Sequence, residues 1–337
     1  AVNETGGGAA GSGIAGTISG AGASSQEAAQ QAWVAGFGEA NPDATINYDP
    51  VGSGGGREQF AAGGIDFGGT DAFLDGEELA AAEKRCGGEV VEIPAYISPV
   101  AIVYNLDGVD ELNLKPATIA KIFNQKITKW NDPAIAKDNP DATLPNLAIT
   151  PVNRSDESGT TENFAEYLAA AAKKDWPHEV SGDWPVPGGE AAAQTAGVVK
   201  AVQGGNGTIG YADASQAGDL STAKVGVGEE FVEYSPEAAA AVVDASERVE
   251  GRSDSSFAYD IARDTTDAGS YPIVLVSYLI ACGTYDDQEK AGLVKGYLSY
   301  VVSEEGQQAA AKNAGSAPIS DKLREQITPV VDAISAG

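Results

Sequence analysis

Strand-like and helix-like segments alternate along this chain, and that alternation restricts the fold more than any other feature. The apolar stretches VVEIPAYISPVAIVYN (90–105), LAITPVN (147–153) and GTIGYAD (207–213) predict strands. Helical patterns cover residues 26–39, 77–85, 118–123, 161–173 and 290–303. Because helices separate the strands, we predict an α/β fold in which helices cover both faces of the sheets.

The size and charge of the chain restrict its partners. Its 337 residues suffice for two domains or one large α/β unit. With 49 acidic and 21 basic residues, the net charge is -28, which repels nucleic acid and anionic membranes. We therefore expect no nucleic-acid partner, and an anionic ligand must be captured by local geometry. The longest apolar run, at 271–282, is shorter than the roughly 20 residues of a membrane span and predicts a buried strand.

The beginning of the chain and its two cysteines bear on whether the protein is processed from a precursor and exported. The sequence shows no signal peptide, and we expect the numbering to start inside a precursor. Residues 1–16 are rich in Gly and Ala and predict a flexible leader. Cys86 and Cys282 fit either one disulfide in an exported protein or two buried thiols, and composition does not decide between these.

Three predicted helix starts contain serine and glycine. Ser24 and Glu27 fit a capping box at the first of them. Each start offers N–H groups and hydroxyls at the positive end of a helix dipole, which favours an anion. Alone, each is also an ordinary helix cap. Three together predict a shared anion site, whose candidate residues are Ser24, Ser25, Ser53, Ser158, Gly159 and Thr160.

Two charged residues complete this pattern. The guanidinium of Arg154 matches two oxygens of a tetrahedral oxyanion, although an exposed surface arginine is the alternative. Asp66 and Asp71 end a predicted strand in DFGGTD. Since Asp75 and Glu78 cap the following helix better, Asp71 has no evident structural role and is a candidate ligand contact.

Catalytic chemistry has few candidate residues here. The only histidine, His178, lies among loop signals, and Ser158 lies outside a G-x-S-x-G elbow. Clustered His and Cys, which a zinc site requires, are absent, whereas metal sites made only of carboxylates stay open. We predict no catalytic residues, no cofactor and no metal.

Taken together, the motifs match one family. The stretches SGAGASS, GSGGG, DFGGTDAFL and RSDESGT, in this order, resemble the phosphate-binding proteins of bacterial phosphate ABC transporters. IFNQKITKWNDPAIAKDNP and NGTIGYADAS resemble the same family, so the resemblance covers roughly residues 17–330. It implies a two-lobed type II periplasmic-binding-protein fold whose lobes close on a dehydrated phosphate.

The resemblance also implies a division of the chain. After the leader at 1–16, residues 17–104 and 270–337 would form lobe 1, and residues 105–269 would form an inserted lobe 2. The two crossings between lobes would make Cys86 and Cys282 neighbours in lobe 1, so that a disulfide is expected.

Specific roles follow at the matching positions. Asp71 would accept the proton of the phosphate, Arg154 would offer its fork, and Asp156 would orient and neutralise Arg154. In the family, the position of Ser25 often holds a bulky aromatic residue, so Ser25 would either add a side-chain hydroxyl to a backbone N–H contact or serve only as a spacer. The remaining phosphate contacts would come from Ser24, Ser25, Ser53, Ser158, Gly159 and Thr160.

The expected function is high-affinity binding of inorganic phosphate and its delivery to the permease subunits of an ABC transporter. The resemblance implies an exported monomer, either periplasmic or lipid-anchored at the outer face of the cell membrane. Two other functions stay open on the same fold. One is a phosphatase, which needs a nucleophile with a base or metals, and the other is a phosphate-binding surface adhesin.

Overall fold

A computed structural model describes residues 14–337, so nearly all of the leader predicted at 1–16 lies outside the described residues. Gly16 already begins the first strand. The strands are β1 (Gly16–Gly22), β2 (Ala44–Asp49), β3 (Phe67–Thr70), β4 (Val90–Asn105), β5 (Asn113–Leu114), β6 (Thr150–Arg154), β7 (Glu190–Ala192), β8 (Thr208–Asp213), β9 (Ser221–Thr222), β10 (Lys224–Val227), β11 (Glu230–Val232), β12 (Glu247–Arg248), β13 (Tyr259–Asp260), β14 (Val274–Cys282), β15 (Thr284–Tyr285) and β16 (Ser335–Ala336).

Helices alternate with these strands, which confirms the predicted α/β class. The predicted helices are present with ends that differ by up to two residues, because capping rather than periodicity decides where a helix begins. The helices are α1 (Glu27–Ala40), α2 (Ser53–Ala61), α3 (Gly76–Cys86), α4 (Pro116–Phe123), α5 (Pro133–Asp138), α6 (Gly159–Ala171), α7 (Gln194–Gln203), α8 (Pro236–Asp244), α9 (Gln288–Val302), α10 (Glu304–Ala314) and α11 (Asp321–Asp332).

One long strand joins the two parts of the main sheet, whose order is β2-β1-β3-β14-β4-β8-β6-β7. The first part of β4, Val90 to Pro99, pairs antiparallel with β14. The second part, Val100 to Asn105, pairs antiparallel with β8. We call β2-β1-β3-β14 with β4 the first sheet half, and β4 with β8-β6-β7 the second sheet half. The two halves therefore share β4 as a common strand.

A bulge interrupts β4 near the middle. Tyr96 pairs with Ser277 and Pro94 with Tyr278, so Ala95 has no partner on β14. Proline cannot donate to a sheet, and a bulge is one of the places in a central strand where it is tolerated. The carbonyl of Ala95 instead accepts a hydrogen bond from Gln307 Nε2 at 2.9 Å.

Apolar side chains cover both faces of the sheet. The larger core extends across both halves and includes most of the buried apolar residues of β4 and all of those of β14, which is the buried strand that the apolar run at 271–282 predicts. A smaller cluster packs α7 on the other face of the second sheet half, through Val103, Val152, Val198 and Val202. None of the helices described between residues 14 and 337 combines the length and apolar character that crossing a membrane requires.

Residues from 252 to 257 contact the first sheet half, although they lie within the range predicted for lobe 2. The Arg252 guanidinium forms an ion pair with the buried Glu92 of β4 at 2.8 Å. Ser256 Oγ donates to the same carboxylate at 2.9 Å, and the N–H of Phe257 donates to the Glu92 carbonyl at 2.8 Å. Residues 252–257 therefore attach the chain to β4 in the first sheet half before it enters β14.

Cys86 and Cys282 form a disulfide, as expected from the resemblance. Their sulfur atoms are 2.03 Å apart, and 196 residues separate them along the chain. The bond joins the end of α3 to the end of β14, a strand of the first sheet half.

We predict that a Cys86→Ala/Cys282→Ala double variant unfolds at lower denaturant concentration than the parent. Closing so long a loop restricts the unfolded chain, which in the chain-entropy model is worth at most about 5 kcal/mol. Equilibrium denaturation measures the loss. Reductant should destabilise the parent similarly and leave the double variant unchanged. Equal midpoints for oxidised parent and variant would contradict the prediction.

Candidate anion-binding site

Asp71 lies where all three serine- and glycine-containing helix starts meet. It follows β3 and is 6% exposed. Its Oδ1 accepts a hydrogen bond from Ser25 Oγ at 2.6 Å, and its backbone N–H donates to Ser53 Oγ at 3.0 Å. A Cβ atom built on Gly159 would lie 1.9 Å from Asp71 Oδ2, so α6 begins directly against this carboxylate. Tertiary structure thus joins three starts that are distant in sequence.

Glycine is necessary at two of these contacts. At Gly159, any side chain would overlap the Asp71 carboxylate. At Gly22, which ends β1, φ is +143° and a Cβ would lie 1.9 Å from the carbonyl oxygen of Gly69. Only glycine adopts such a φ readily. The absence of side chains therefore lets the ends of β1 and β3 and the start of α6 approach one another closely.

The two adjacent serines have different environments. Ser24 is exposed, whereas Ser25 is half-buried and its hydroxyl reaches Asp71. Ser24 does not cap α1 as its spacing from Glu27 predicts. Residues Ser24–Gln26 form a 3-10 turn, and α1 starts at Glu27. Ser25 is therefore the serine of this pair whose side chain belongs to the cluster around Asp71.

Ser158 is the N-cap of α6, and its Oγ accepts a hydrogen bond from the N–H of Thr161 at 3.2 Å. Ser158 and Thr160 are both buried. The first N–H groups of an α-helix, here those of Gly159 and Thr160, have no intrahelical acceptor. They lie at the positive end of the helix dipole, which favours a negative group at this position.

Arg154 ends β6 with its guanidinium buried and oriented by Asp156. Its Nε and Nη2 donate to the two carboxylate oxygens of Asp156 at 2.9 and 2.7 Å. The hydrogen bond from Arg154 holds the pKa of Asp156 below its ordinary value. This pairing engages one edge of the guanidinium and does not use Nη1.

A tyrosine that the sequence did not identify connects Arg154 to the start of α6. The backbone N–H of Arg154 donates to Tyr211 Oη at 3.1 Å, and the hydroxyls of Tyr211 and Thr161 lie 2.6 Å apart. Tyr211 is on β8 and is 1% exposed. It therefore fixes the end of β6 relative to the first turn of α6.

Burial dominates the electrostatics of Asp71. It raises the pKa of the Asp71 carboxyl, although hydrogen bonds from the Ser25 and Ser277 hydroxyls lower that pKa in part. A second acid, Asp213 at the end of β8, also has its pKa raised by burial. Asp213 is hydrogen-bonded by Ser215 and Tyr96. The charge of Asp213 also raises the pKa of Asp71, because a nearby negative charge disfavours ionisation of the carboxyl.

Sequence reasoning also missed two residues beside Asp71. Asn163 and Arg263 are 3% and 4% exposed and are hydrogen-bonded to each other. Asn163 lies one helical turn after Gly159, a spacing that places both on the same face of α6. Arg263 follows β13, and nothing in its local sequence relates it to α6.

A cavity of about 250 Å³ adjoins Asp71 between the end of β3 and α6. Arg57 and Glu78 line it from one side, and Glu162 and Glu166 line it from α6. Arg57 pairs with Glu78 at 2.9 Å. Burial, followed by the charge of Glu166, raises the pKa of Glu162 to about 7. Glu162 thus loses its proton near neutral pH.

We predict that Glu162→Gln stabilises the protein at pH 8 but not at pH 4. Folding raises the pKa of this carboxyl, so its charge destabilises the folded state. The penalty is absent below the unfolded pKa of about 4.3 and is complete above about 7. The expected gain at pH 8 is about 1–3 kcal/mol, measured by denaturant unfolding at both pH values.

The exposed Glu325 of α11 offers a matched control. Glu325→Gln changes the net charge equally and should leave stability at pH 8 almost unchanged. A gain for Glu162→Gln that is equal at pH 4 and pH 8 would contradict the prediction.

The known proteins that this sequence resembles include several phosphate-binding proteins. A model of the PBP superfamily domain matches residues 7–305. Phosphate-binding protein PstS3 of Mycobacterium bovis is 36% identical over 328 residues, which span 95% of this chain and 87% of that protein. Phosphate-binding protein PstS 2 of Mycobacterium tuberculosis is 33% identical over 327 residues, which span 93% and 86%.

Solved structures show the same fold at lower identity. A high-affinity periplasmic phosphate-binding protein, PfluDING, solved with phosphate bound, matches with a TM-score of 0.73 and 20% identity, covering 95% of this chain and 99% of that one. A phosphate ABC transporter substrate-binding protein of Clostridium perfringens, described as putative and solved with bound phosphate, matches with a TM-score of 0.62 and 21% identity, covering 89% and 98%.

Proposed function

Because the chain belongs to the PstS family of phosphate-binding proteins, within the PBP superfamily, we propose that it binds inorganic phosphate and delivers it to a membrane ABC permease. The observation that supports this most strongly is the convergence of Ser25, Ser53 and the start of α6 on the buried Asp71. Such a cluster offers hydroxyl and N–H donors together with one fixed acceptor.

Phosphate fits this combination of donors and acceptor. At neutral pH it carries at least one P–O–H group, which donates to a carboxylate, and its other oxygens accept. In the proposal, Asp71 accepts the phosphate proton and the Ser53 hydroxyl donates to the anion. Ser25, whose hydroxyl already donates to Asp71, contributes its backbone N–H. The N–H groups of Gly159 and Thr160 meet the anion at the positive end of α6. Ser24, whose side chain is exposed, contributes its backbone N–H.

Arg154 supplies the positive charge of the proposed site. Asp156 holds one edge of the guanidinium, so the group is oriented before phosphate arrives. Preorganised donors lose less entropy on binding than mobile ones. Asp156 also offsets the arginine charge, so that affinity depends on directed hydrogen bonds. Ser158 acts through the cap that it provides to α6.

The proposal assigns lobe 1 to residues 17–104 and 270–337 and lobe 2 to residues 105–269. Phosphate that contacts both lobes would favour the closed form, which the permease would recognise. The protein would act as an exported monomer, in the periplasm or lipid-anchored at the outer face of the membrane. The disulfide supports export, because such bonds persist in oxidising compartments. No catalytic step is assigned to any residue.

Released ligand and calorimetry test this function directly. Purified protein is unfolded and the supernatant is assayed for phosphate. The refolded protein is then titrated with phosphate and, separately, with sulfate. Stoichiometric release and heat on phosphate addition are expected. A protein that releases no phosphate and gives no heat with phosphate would overturn the proposal.

We predict that Arg154→Lys raises the phosphate Kd by roughly 10- to 100-fold although the charge is kept. A lysine ammonium cannot reproduce the planar fork, and the lost charge-assisted bond is worth about 1.5–3 kcal/mol. Calorimetry measures the change. Arg324→Lys, at a surface ion pair with Asp321, is the control and should leave the Kd unchanged. An equal Kd for Arg154→Lys and the parent would remove Arg154 from the proposed site.

We predict that Asp71→Asn weakens discrimination against sulfate. Sulfate carries no proton at neutral pH, so the parent carboxylate would face an anionic oxygen without a hydrogen bond. Sites with a buried polar partner reject such analogues by roughly 10⁴–10⁵. An asparagine amide can turn its NH2 toward sulfate. Paired titrations should show at least a tenfold smaller preference for phosphate. A variant that excludes sulfate as strictly as the parent would show that Asp71 is not the discriminating residue.

A further inference from the structure

Asn163 connects two sides of the proposed phosphate site through a single amide. Its Nδ2 donates to the carbonyl of Gly159, one turn earlier on α6, at 2.8 Å. The same NH2 group donates to the carbonyl of Asp71, at the end of β3, at 3.2 Å. The side chain is 3% exposed, so water does not compete strongly for these bonds.

Arg263 determines which way this amide points. Its Nη2 donates to Asn163 Oδ1 at 2.6 Å, and its Nη1 donates to the carbonyl of Val274, the first residue of β14, at 2.9 Å. An ion pair with Glu166 of α6, at 2.9 Å, holds the guanidinium further. Since a guanidinium can only donate, it must face the amide oxygen. The NH2 group is therefore directed at Asp71.

Asp71 is consequently held through its backbone on both sides. Its N–H donates to Ser53, within the first sheet half, and its carbonyl accepts from Asn163 on α6. The carboxylate meets Gly159 with no room for a side chain. A ligand held by both Asp71 and the start of α6 requires these two elements to keep one relative position.

We propose that Asn163, oriented by Arg263, is a positioning residue that locks α6 onto Asp71 and slows the release of phosphate. The inference rests on the proposed function. In the proposed division, Asp71 belongs to lobe 1 and Asn163 to lobe 2, so the hydrogen bond between them forms only when the lobes are closed. An interaction made only in the closed form stabilises that form over the open one. Its loss therefore speeds opening more than it slows association.

The test compares two variants with one matched control. Asn163→Ala removes the amide, whereas Asn163→Asp keeps its volume and pairs with Arg263 but cannot donate to Asp71. Asn139→Ala is the control, because Asn139 is also buried and its Nδ2 also bridges a carbonyl four residues earlier, of Ile135, to a distant one, of Asn113. Radiolabelled phosphate release gives the dissociation rate, and stopped-flow mixing gives the association rate.

Both Asn163 variants should release phosphate about 5- to 20-fold faster than the parent. Their association rates should change by less than about threefold. Asn139→Ala should lower the melting temperature and leave both rates unchanged. If Asn163→Ala does not fold, Asn163→Asp gives the same test.

Three outcomes would overturn the inference: release as slow as in the parent, a slower association that accounts for the whole loss of affinity, or equal effects of Asn139→Ala. Failure of the proposed function is distinguishable, because the parent itself would then bind no phosphate.

Discussion

The burial of the Asp71 carboxylate is the constraint on which the rest of the site depends. A carboxylate removed from water is costly unless hydrogen bonds replace its hydration. The hydroxyl of Ser25 and the dipole of α6 supply part of that replacement, yet burial still raises the pKa of this acid. A ligand that brings its own proton to Asp71 completes the set. In the proposed function, the burial that makes the Asp71 carboxylate costly also makes it selective for a ligand that carries a proton.

The net charge of -28 gives the local donors their importance. Long-range attraction cannot bring an anion to a protein that repels it, so the binding energy has to come from short-range hydrogen bonds within the cleft. Directed donors are the means that the chain provides: a helix start, serine hydroxyls, and an arginine fork oriented by Asp156. Each of these acts over a few ångströms, where water is excluded and the dielectric is low.

Sharing of β4 between the two sheet halves explains how one site is built from both. Its first part pairs with β14 of one half and its last six residues with β8 of the other, so β4 makes the two halves one continuous sheet. Two side chains add direct bonds: Asn163 joins α6 to Asp71 at the end of β3, and Arg263, which follows β13, bonds to the start of β14. In the proposed closure of the two lobes, the strand pairing of β4 persists, whereas the bond from Asn163 to Asp71 forms and breaks.

The sequence by itself determined the α/β class, β4 with its observed ends, and the motifs that meet at Asp71, because these depend on local periodicity, capping and turn chemistry. The resemblance of those motifs also predicted the disulfide. Tertiary structure alone decided that Ser25 rather than Ser24 turns its hydroxyl to Asp71, that Arg252 packs on Glu92, and that Arg263 orients Asn163. These contacts join residues 46 to 160 positions apart, and no short-range pattern records such pairs. Their geometry exists only once both sheet halves have assembled around β4.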